Sequence, residues 1–464
     1  MEKRNQAAKM IVGAVLVIIA ILALAGIISR HHITYKSAPL SRDDIDYEQL
    51  KSVEAPAAAE NGIIRADAWA KTSDVYRHIA ESMKATEKAS KQEDYLEEDP
   101  YLKALYDNYG FSKDYKSARG HEYTLLDVME TARTGEKSLA NCLTCKTPDF
   151  TKLVADTNGA AYADNFLAVH AQITENGAEN VSCYTCHGNT PNEWHAVDLE
   201  NAESKQTNLT VMHTYVTDAL GSNAAAIDPA VLACGQCHIE YYFDPVTKAT
   251  TMPYDAKETM TPEAIYAYYN ALVMPDGSVG FYDWVQPGTE AKMLKVQHPE
   301  METYLYGKHA SELNCADCHM PVVQDPDDRS IYHSHELVSP LEDETLLATC
   351  LQCHASMEPP IKTGEEMVEM VRGIQSRVTK KEKSVGAELE AFKNALIAAI
   401  AEGKIGEEQL DAVRAIYREA QWYFDFCYVE NSEGAHNYSL SMQCLEKAEE
   451  LTEAGMELLK PSAE

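Results

Sequence analysis

The sequence predicts a mainly α-helical protein with a loop-rich body and a region of long C-terminal helices. From Asp67, expected as the N-cap of a first helix, to Pro360, short helical patterns alternate with long segments rich in Asp, Asn, Gly and Pro. Alternation typical of β-strands is scarce. Beyond Pro360, apolar residues recur every three or four positions, which predicts long amphipathic helices.

Residues 1–30 are predicted to target the membrane. The run from Ile11 to Ile28 is almost wholly apolar and follows several basic residues, which suits one membrane crossing from a cytoplasmic N-terminus. Ala23 and Ala25 also form an A-x-A pattern for a signal peptidase. An anchor and a cleaved signal peptide therefore both stay open, and the length of the run favours the anchor. Residues 31–65 are predicted to be a linker.

The charge balance bears on the partners of the protein. The chain has 73 acidic and 40 basic residues, a formal net charge of -33, which argues against binding nucleic acid. The same negative field repels small anions. A site for an anionic substrate would therefore need local positive charge, and the arginines are the residues to supply it.

The cysteines are arranged for covalent attachment of haem. Ten of the twelve lie in C-x-x-C pairs, followed four times by histidine and once by lysine. In C-x-x-C-H the two thiols bond one porphyrin and the histidine becomes an axial ligand of its iron. Zinc sites pair two C-x-x-C motifs per metal and need no histidine directly afterwards, so an odd number favours haem.

The sequence thus predicts a multihaem cytochrome c whose core is filled by five covalently bound haems, attached outside the cytoplasm in the periplasm or on the outer face of the cytoplasmic membrane. The predicted attachment and proximal residues are Cys142, Cys145 and Lys146; Cys183, Cys186 and His187; Cys234, Cys237 and His238; Cys315, Cys318 and His319; and Cys350, Cys353 and His354.

Lys146 sets the first motif, CLTCK, apart from the others. One interpretation is a broken attachment site. The alternative is an amine ligand, which binds iron only when it is deprotonated and therefore requires surroundings that favour the neutral form. An iron with that ligand and an open opposite position would be a reaction centre, and the other four haems would carry electrons to it.

The motifs and the strings around them resemble the pentahaem ammonia-forming cytochrome c nitrite reductases, the cytochrome c-552 family. The likeness runs from about Asp94 to His436 and includes FSKDYKSARGHEYTLLDV (111–128), ARTG (132–135), CGQCHIEYYF (234–243) and KVQHPE (295–300). It implies an enzyme that reduces nitrite to ammonium with six electrons at the lysine-ligated haem. It also implies a homodimer joined through the C-terminal helices and a membrane quinol-oxidising multihaem cytochrome as electron donor.

The resemblance also assigns individual residues. Arg133, Tyr241 and His298 match the active-site arginine, tyrosine and histidine of the family, with hydrogen-bonding and proton-delivery roles. The matched distal ligands are His335 for the CYTCH haem, His121 for CGQCH, His436 for CADCH and His309 for CLQCH. His333 stays an alternative to His335.

A calcium site is implied beside the catalytic haem. Glu240 and Gln297 match its side-chain ligands, and Tyr241 and Lys295 match its backbone carbonyl ligands, consistent with the oxygen donors that calcium requires. The alternative is an ion-free pair between Glu240 and Lys295.

The body is predicted to span residues 66–360 and the long helices residues 361–464. Two apolar stripes there either pack on the haem body or form a subunit interface. Cys427 and Cys444 lie outside the attachment motifs and form a disulfide or stay as buried thiols. The stripe residues are Leu389, Phe392, Leu396 and Ile400 and, beyond Gly403 and Gly406, Leu410, Val413 and Tyr417.

Two classes of function remain in competition. A nitrite reductase needs one open iron position near Arg133, Tyr241 and His298, whereas a pure electron carrier gains from two strong ligands on every iron. Hydroxylamine and sulfite are alternative substrates of an enzyme of this build, and no residue in the sequence separates them from nitrite.

Overall fold

A computed structural model describes residues 62–84, 92–189, 209–403 and 405–460 of the chain. The predicted anchor and nearly all of the predicted linker lie outside these residues. Among the helices that are described, none combines the length and the apolar character needed to cross a bilayer.

The described part of the chain is mainly α-helical, which confirms the predicted fold class. Its α-helices are α1 (Ala66–Ala70), α2 (Asp74–Ser82), α3 (Tyr95–Glu98), α4 (Tyr101–Leu105), α5 (Thr124–Glu130), α6 (Pro148–Asp156), α7 (Phe166–Glu175), α8 (Cys183–His187), α9 (Thr214–Leu220), α10 (Pro229–Gly235), α11 (Pro262–Ala271), α12 (Glu300–Leu305), α13 (Cys315–His319), α14 (Glu344–His354), α15 (Gly364–Glu402), α16 (Glu407–Tyr428) and α17 (Tyr438–Leu458).

Short 3₁₀ turns and three small hairpins connect these helices. The 3₁₀ turns are Gly110–Ser112, His121–Tyr123, Ala140–Leu143, Ala160–Ala163, Gly221–Ala226, Lys257–Thr259 and Pro340–Glu342. The strands pair antiparallel in sequence order, β1 (Tyr242–Phe243) with β2 (Thr250–Thr251), β3 (Trp284–Val285) with β4 (Lys292–Met293), and β5 (Val322–Gln324) with β6 (Ile331–His333).

The first described helix begins slightly earlier than predicted. Arg65 is the N-cap residue of α1, and Asp67 lies in its first turn, so the predicted N-cap role of Asp67 is wrong. The Asp67 carboxylate instead accepts a hydrogen bond from Lys71 at 2.8 Å, four residues later on the helix surface. This i,i+4 pair is the main side-chain interaction of the Asp67 carboxylate.

The C-terminal helices form as the apolar periodicity predicts. Thr363 and Glu366 form a capping box at the start of α15, and Gly403 ends the helix in the left-handed conformation at φ 60°. Leu389, Phe392 and Leu396 have no exposed surface, and Val413 and Tyr417 of α16 are equally buried. These residues pack in one cluster with apolar residues of the body, which agrees with the first of the two interpretations.

Two glycines allow these helices to approach their neighbours closely. A Cβ atom on Gly386 of α15 would lie 2.3 Å from the Tyr101 ring of α4. A Cβ atom on Gly455 of α17 would lie 2.1 Å from the ring of Phe392. Any larger residue at either position would force the helices apart.

The side-chain core is unevenly distributed along the chain. One large cluster of buried apolar residues joins α15, α16 and α17 to residues 96–305 of the body. Between residues 306 and 360, all of which are described, the only large apolar side chains that are buried are Ile331, Leu346 and Leu347. A segment with so little side-chain core needs another source of apolar contact, and a haem would supply it.

Candidate active site and haem-binding residues

Three attachment motifs, CYTCH, CADCH and CLQCH, lie on α-helices. Hydrogen bonds at the helix start fix the first two, and the third occupies the end of a longer helix. In α13, Asn314 Oδ1 accepts hydrogen bonds from the backbone of Ala316 and Asp317, and the Asp317 carboxylate accepts one from Asn314 N at 2.8 Å. In α8, Thr185 Oγ1 accepts a hydrogen bond from Ser182 N. The last turns of α14 carry the CLQCH motif. On a helix, residues three and four apart are neighbours, so both thiols and the histidine point to one side.

Eight histidines meet as four opposed pairs, each made of a proximal residue and the distal residue that the resemblance assigned. Two imidazoles on opposite sides of one iron place their ring centres about 6.3 Å apart, from metal–nitrogen bonds of about 2.0 Å and roughly 1.1–1.2 Å from each nitrogen to its ring centre. The spacing of the pairs therefore fits a haem between them. The observed separations are 6.3 Å for His121 and His238, 6.4 Å for His187 and His335, 6.1 Å for His309 and His354, and 6.3 Å for His319 and His436.

One nitrogen atom of His335 is placed as an iron ligand would be. Its Nδ1 lies 2.8 Å from the carbonyl oxygen of His333, which orients the ring. Its Nε2 is buried and has no hydrogen-bond partner among the described residues, an arrangement that costs free energy unless the nitrogen binds a metal. His333, the alternative ligand, instead places its own Nδ1 3.0 Å from Met320 O.

The motifs are adjacent in a defined order. The thiols of Cys145 (CLTCK) and Cys237 (CGQCH) lie within 4.8 Å of each other and of His213. Gln236 of CGQCH donates a hydrogen bond to Thr185 O of CYTCH at 2.9 Å. On its other side, Cys234 (CGQCH) interacts with Cys315 (CADCH). CGQCH is therefore adjacent to three of the other four motifs.

The CLQCH motif extends this order at one end. Cys318 of CADCH interacts electrostatically with Cys350 of CLQCH. Among the described residues the order thus runs from CLQCH through CADCH and CGQCH to CLTCK, with CYTCH as a branch at CGQCH. This spatial order is absent from the sequence, where CLTCK and CGQCH are separated by CYTCH.

The predicted catalytic residues collect around CLTCK. Lys146 follows the 3₁₀ turn Ala140–Leu143 and interacts electrostatically with His298. Tyr241 is coupled in the same way to Cys142, Cys145 and Arg133. Four residues that are distant in the chain therefore share the surroundings of one attachment motif.

The protonation of His298 is set by its surroundings. Although 46% of its side-chain surface is accessible, the atoms around the ring desolvate it and lower its pKa to about 4. The carboxylate of Glu300, 3.9 Å from Nδ1, acts in the opposite direction. His298 is thus neutral at pH 7 and offers one N–H donor and one acceptor nitrogen. Burial also raises the pKa of Tyr241 well above its ordinary value, which keeps its hydroxyl a donor.

Phe111 orients Arg133, a contact that no feature of the sequence indicated. The guanidinium carbon of Arg133 lies 4.3 Å from the centre of the Phe111 ring, and its Nε donates a hydrogen bond to Thr131 Oγ1 at 3.1 Å. The ammonium of Lys295 lies 4.9 Å from the same ring. Phe111 is therefore shared by two cations.

The predicted calcium ligands lie together. Glu240 is fully buried, and its carboxylate accepts hydrogen bonds from Tyr269 OH at 2.8 Å and from Gln297 N at 2.5 Å. Gln297 Nε2 donates to Lys295 O at 3.0 Å, which brings two further predicted donors to the same place. Burial raises the pKa of Glu240 well above its ordinary value. A cation bound here would compensate a carboxylate that, among the described residues, accepts hydrogen bonds from neutral donors.

The alternative pairing of Glu240 with Lys295 is wrong. The Lys295 amine donates to Val296 O at 2.7 Å and lies 3.5 Å from Asp425, with both side chains buried. Asp425 is in α16, far along the chain from Lys295, so no local pattern indicated this pair. Nearby, burial raises the pKa of Glu302 to about 8, and its Oε2 is buried without a hydrogen-bond partner among the described residues.

Cys427 and Cys444 are free buried thiols, so the second of the two interpretations holds. The Cys427 thiol donates a hydrogen bond to Glu382 Oε1 at 3.3 Å. Both cysteines lie in the C-terminal helices, away from the attachment motifs.

Comparison with known proteins identifies the family. The sequence model described as cytochrome c552 matches residues 65–464. The chain belongs to the cytochrome c552 family. This confirms the family that the motifs predicted, and haem c is accordingly the cofactor of this cytochrome.

Solved structures add a likeness in fold. The catalytic subunit of a cytochrome c nitrite reductase from Desulfovibrio desulfuricans, described with two calcium sites, is 25% identical to this cytochrome c552 with a TM-score of 0.72, and 86% of each chain is covered. The outer cell wall cytochrome OcwA is 18% identical over 72% of this chain and 48% of its own, with a TM-score of 0.37. An undecahaem S-layer cytochrome from Carboxydothermus ferrireducens is 14% identical over 73% and 41%, with a TM-score of 0.36.

Proposed function

We propose that this cytochrome c552 reduces nitrite to ammonium at the haem of the CLTCK motif. The observation that carries the proposal is the set of Lys146, Arg133, Tyr241 and His298 around one attachment motif, while eight other histidines form four opposed pairs. The change of nitrogen from oxidation state +3 to −3 takes six electrons. The similarity to a nitrite reductase supports the same reaction.

Lys146 is proposed as the proximal ligand of the catalytic haem and the four histidine pairs as the ligands of the other haems. The bound haems supply electrons, one at a time. The adjacency of the motifs supports a path in which the CLTCK haem would receive electrons by way of CGQCH, whose Cys237 thiol lies beside that of Cys145.

Arg133 is proposed to bind the nitrite anion. A chain of net charge -33 repels nitrite, and a guanidinium offers planar donors that match a pair of oxygen atoms. The face of Phe111 and the hydroxyl of Thr131 hold the group in one orientation. Arg133 itself remains exposed to solvent, so the anion can reach it.

Tyr241 and His298 are proposed to donate hydrogen bonds and pass protons to the bound nitrogen species. His298 is neutral at pH 7, so its ring has to take up a proton from solvent before it can pass one to the nitrogen species. Its accessible surface allows that exchange.

A calcium ion held by Glu240, the carbonyl groups of Tyr241 and Lys295, and Gln297 is proposed beside this site. It would fix the chain that carries Tyr241 and, one residue after Gln297, His298. Calcium analysis of the purified protein tests the site: one ion should be lost on replacing Glu240 with Gln, whereas Glu263→Gln on the exposed side of α11 should retain it.

We further propose an extracytoplasmic location with an N-terminal anchor at residues 11–28, a homodimer that uses outward faces of the C-terminal region (361–464), and a membrane quinol-oxidising multihaem cytochrome as electron donor. Hydroxylamine and sulfite are proposed as secondary substrates. The division into a linker (31–65), a body (66–360) and a long-helix region (361–464) remains a proposal as well.

The decisive experiment measures nitrite consumption and ammonium production by the purified holoprotein with a low-potential artificial donor, together with covalent haem per chain. Stoichiometric ammonium with five haems supports the enzyme. Replacing Arg133 with Gln should then lower kcat/KM for nitrite roughly 10–100-fold, the cost of one charge-assisted hydrogen bond. Arg77→Gln on α2 is the control. Reversible reduction of all five haems without nitrite turnover would instead mean an electron carrier.

A further inference from the structure

The axial histidines differ in the partner of their second ring nitrogen. His335 Nδ1 lies 2.8 Å from a carbonyl oxygen of His333, and His319 Nδ1 lies 3.3 Å from that of Val338. His436 Nδ1 lies 2.7 Å from a carboxylate oxygen of Glu430. One of these ligands therefore contacts a negative charge, and two contact neutral dipoles.

Glu430 is built into its place. It is 2% exposed and follows the end of α16, where its backbone N–H donates to Cys427 O at 3.2 Å. Ser432 donates hydrogen bonds to both oxygens of the carboxylate, from its backbone at 3.3 Å and from its hydroxyl at 2.5 Å. The same hydroxyl accepts a hydrogen bond from His436 N at 2.9 Å. The short segment 430–436 thus fixes the carboxylate and the imidazole relative to each other.

We propose that Glu430 tunes the CADCH haem to the lowest reduction potential of the four bis-histidine haems. The inference rests on the proposed ligation of that haem by His319 and His436. A carboxylate that accepts the Nδ1 proton makes the imidazole a stronger electron donor and adds negative charge near the iron, and both effects favour the oxidised state. Glu430 is a positioning and tuning residue and touches no substrate.

A second carboxylate lies near a proximal histidine but farther from its ring. Glu300 lies 3.9 Å from Nδ1 of His238, the proximal ligand of the CGQCH haem, and at the same distance from His298. It is shared between two rings, and Asn431 donates a hydrogen bond to it. Its influence on His238 is therefore weaker than that of Glu430 on His436, which it contacts 1.2 Å more closely.

The consequence concerns the route of electrons. CADCH stands between CLQCH and CGQCH, so an electron from CLQCH has to pass through the haem that is hardest to reduce. The branch through CYTCH reaches CGQCH without that step. Glu430 would thereby favour entry through CYTCH.

The test is a spectroelectrochemical titration of holoprotein with five haems. Glu430→Gln keeps an oxygen acceptor and removes the charge, and the lowest bis-histidine potential should rise by at least a tenfold change in the reduction equilibrium, about 59 mV for one electron. Glu430→Asp should stay near the wild type. Glu433→Gln, an exposed residue of the same segment, is the control for the lost charge.

Two results would overturn the proposal. One is a Glu430→Gln titration that coincides with that of Glu433→Gln. The other is loss of one low-spin haem signal in both Glu430 variants, which would mean that the residue only maintains the fold. Neither depends on nitrite turnover. A wild-type protein with fewer than four low-spin bis-histidine haems would refute the ligand assignment itself, separately from the tuning.

Discussion

The C-terminal helices and the segment that carries the last two attachment motifs are held together by different means. Helices α15, α16 and α17 bury continuous apolar stripes, including Leu389, Phe392 and Tyr417 with no exposed surface. Helix α13 in the other segment buries no side chain at all. The first region is stabilised by side-chain packing, and we expect the second to depend on apolar contacts with haem. The long helices therefore have a core of side chains, and the short helices joined by loops are expected to have a core of haem.

Preventing haem attachment at CADCH should give the largest difference between the two regions. In Cys315→Ser/Cys318→Ser, residues 306–360 should lose protection from hydrogen exchange, because Ile331, Leu346 and Leu347 are their only large buried apolar side chains. The helices of the bundle, residues 364–402, 407–428 and 438–458, should keep their protection, whereas the loop with His436, the proposed distal ligand of this haem, lies outside that expectation. Mass spectrometry of exchanged peptides measures both, with covalent haem counted in the same sample.

Cys444→Ser is the control for that experiment, since it changes a cysteine of the bundle and leaves every attachment motif intact. It should retain five haems and the protection of residues 306–360. Equal protection of both segments in the double variant would show that side chains alone support the segment, against the comparison.

Removing a packed ring from the bundle should give the next largest effect. Phe392 lies edge-on to Tyr417 of α16, with ring centres 5.3 Å apart, and fills the space that Gly455 of α17 leaves. Phe392→Ala should lower the free energy of unfolding of the bundle by about 3–5 kcal/mol, from lost burial and the remaining cavity. Haem spectra and potentials should not change.

Chemical denaturation followed by far-ultraviolet circular dichroism and by haem absorbance separates the two readouts. Leu458→Ala, at a position 39% exposed on α17, is the control and should cost no more than about 0.5 kcal/mol. Loss of the low-spin haem signals in Phe392→Ala at denaturant concentrations where the wild type is native would mean that the two regions unfold as one unit.

Features that depend on neighbouring residues could be predicted from the sequence, whereas contacts between residues far apart in the chain mostly could not. Cysteine spacing predicts the attachment residues, and Gly403 and Gly406 correctly predict the boundary between α15 and α16, because both depend on neighbouring residues. The opposed histidines came from the family resemblance, and the structure brings all four pairs together. The pairing of Lys295 with Asp425 and of His436 with Glu430 required the fold, since an acidic residue in a strongly acidic chain gives no signal of its own.

Glu382 should make the stability of the bundle depend on pH. It is buried in α15, and burial raises its pKa from 4.5 to about 7. Below about pH 4.5 the carboxyl is protonated in both the folded and the unfolded state. Between pH 4.5 and 7 the unfolded state releases the proton first, so stability falls as pH rises.

Glu382→Gln removes that dependence. Relative to the wild type, the variant should gain about 2–3 kcal/mol in free energy of unfolding between pH 4.5 and pH 8, with a constant offset from the altered contact with Cys427. Denaturation curves across this range measure the difference. Glu369→Gln, exposed on the same helix, is the control and should show the pH dependence of the wild type. If the stability of Glu382→Gln changed with pH in parallel with the wild type, Glu382 would titrate outside this pH range.

The smallest effect is expected from removing the aromatic ring of Phe111 in the body. Phe111 supports Arg133 through one cation–π contact at 4.3 Å. Phe111→Leu keeps the burial and removes the aromatic face, so the Michaelis constant for nitrite should rise about two- to fivefold, the equivalent of 0.5–1 kcal/mol, with little change in kcat. Tyr282→Leu removes a similar contact with Lys292, 4.8 Å from that ring, and should leave the kinetics unchanged. A fall in kcat without a change in the Michaelis constant would instead point to Phe111 acting through Lys295, the second cation on the same ring, and through the buried Asp425 beside it.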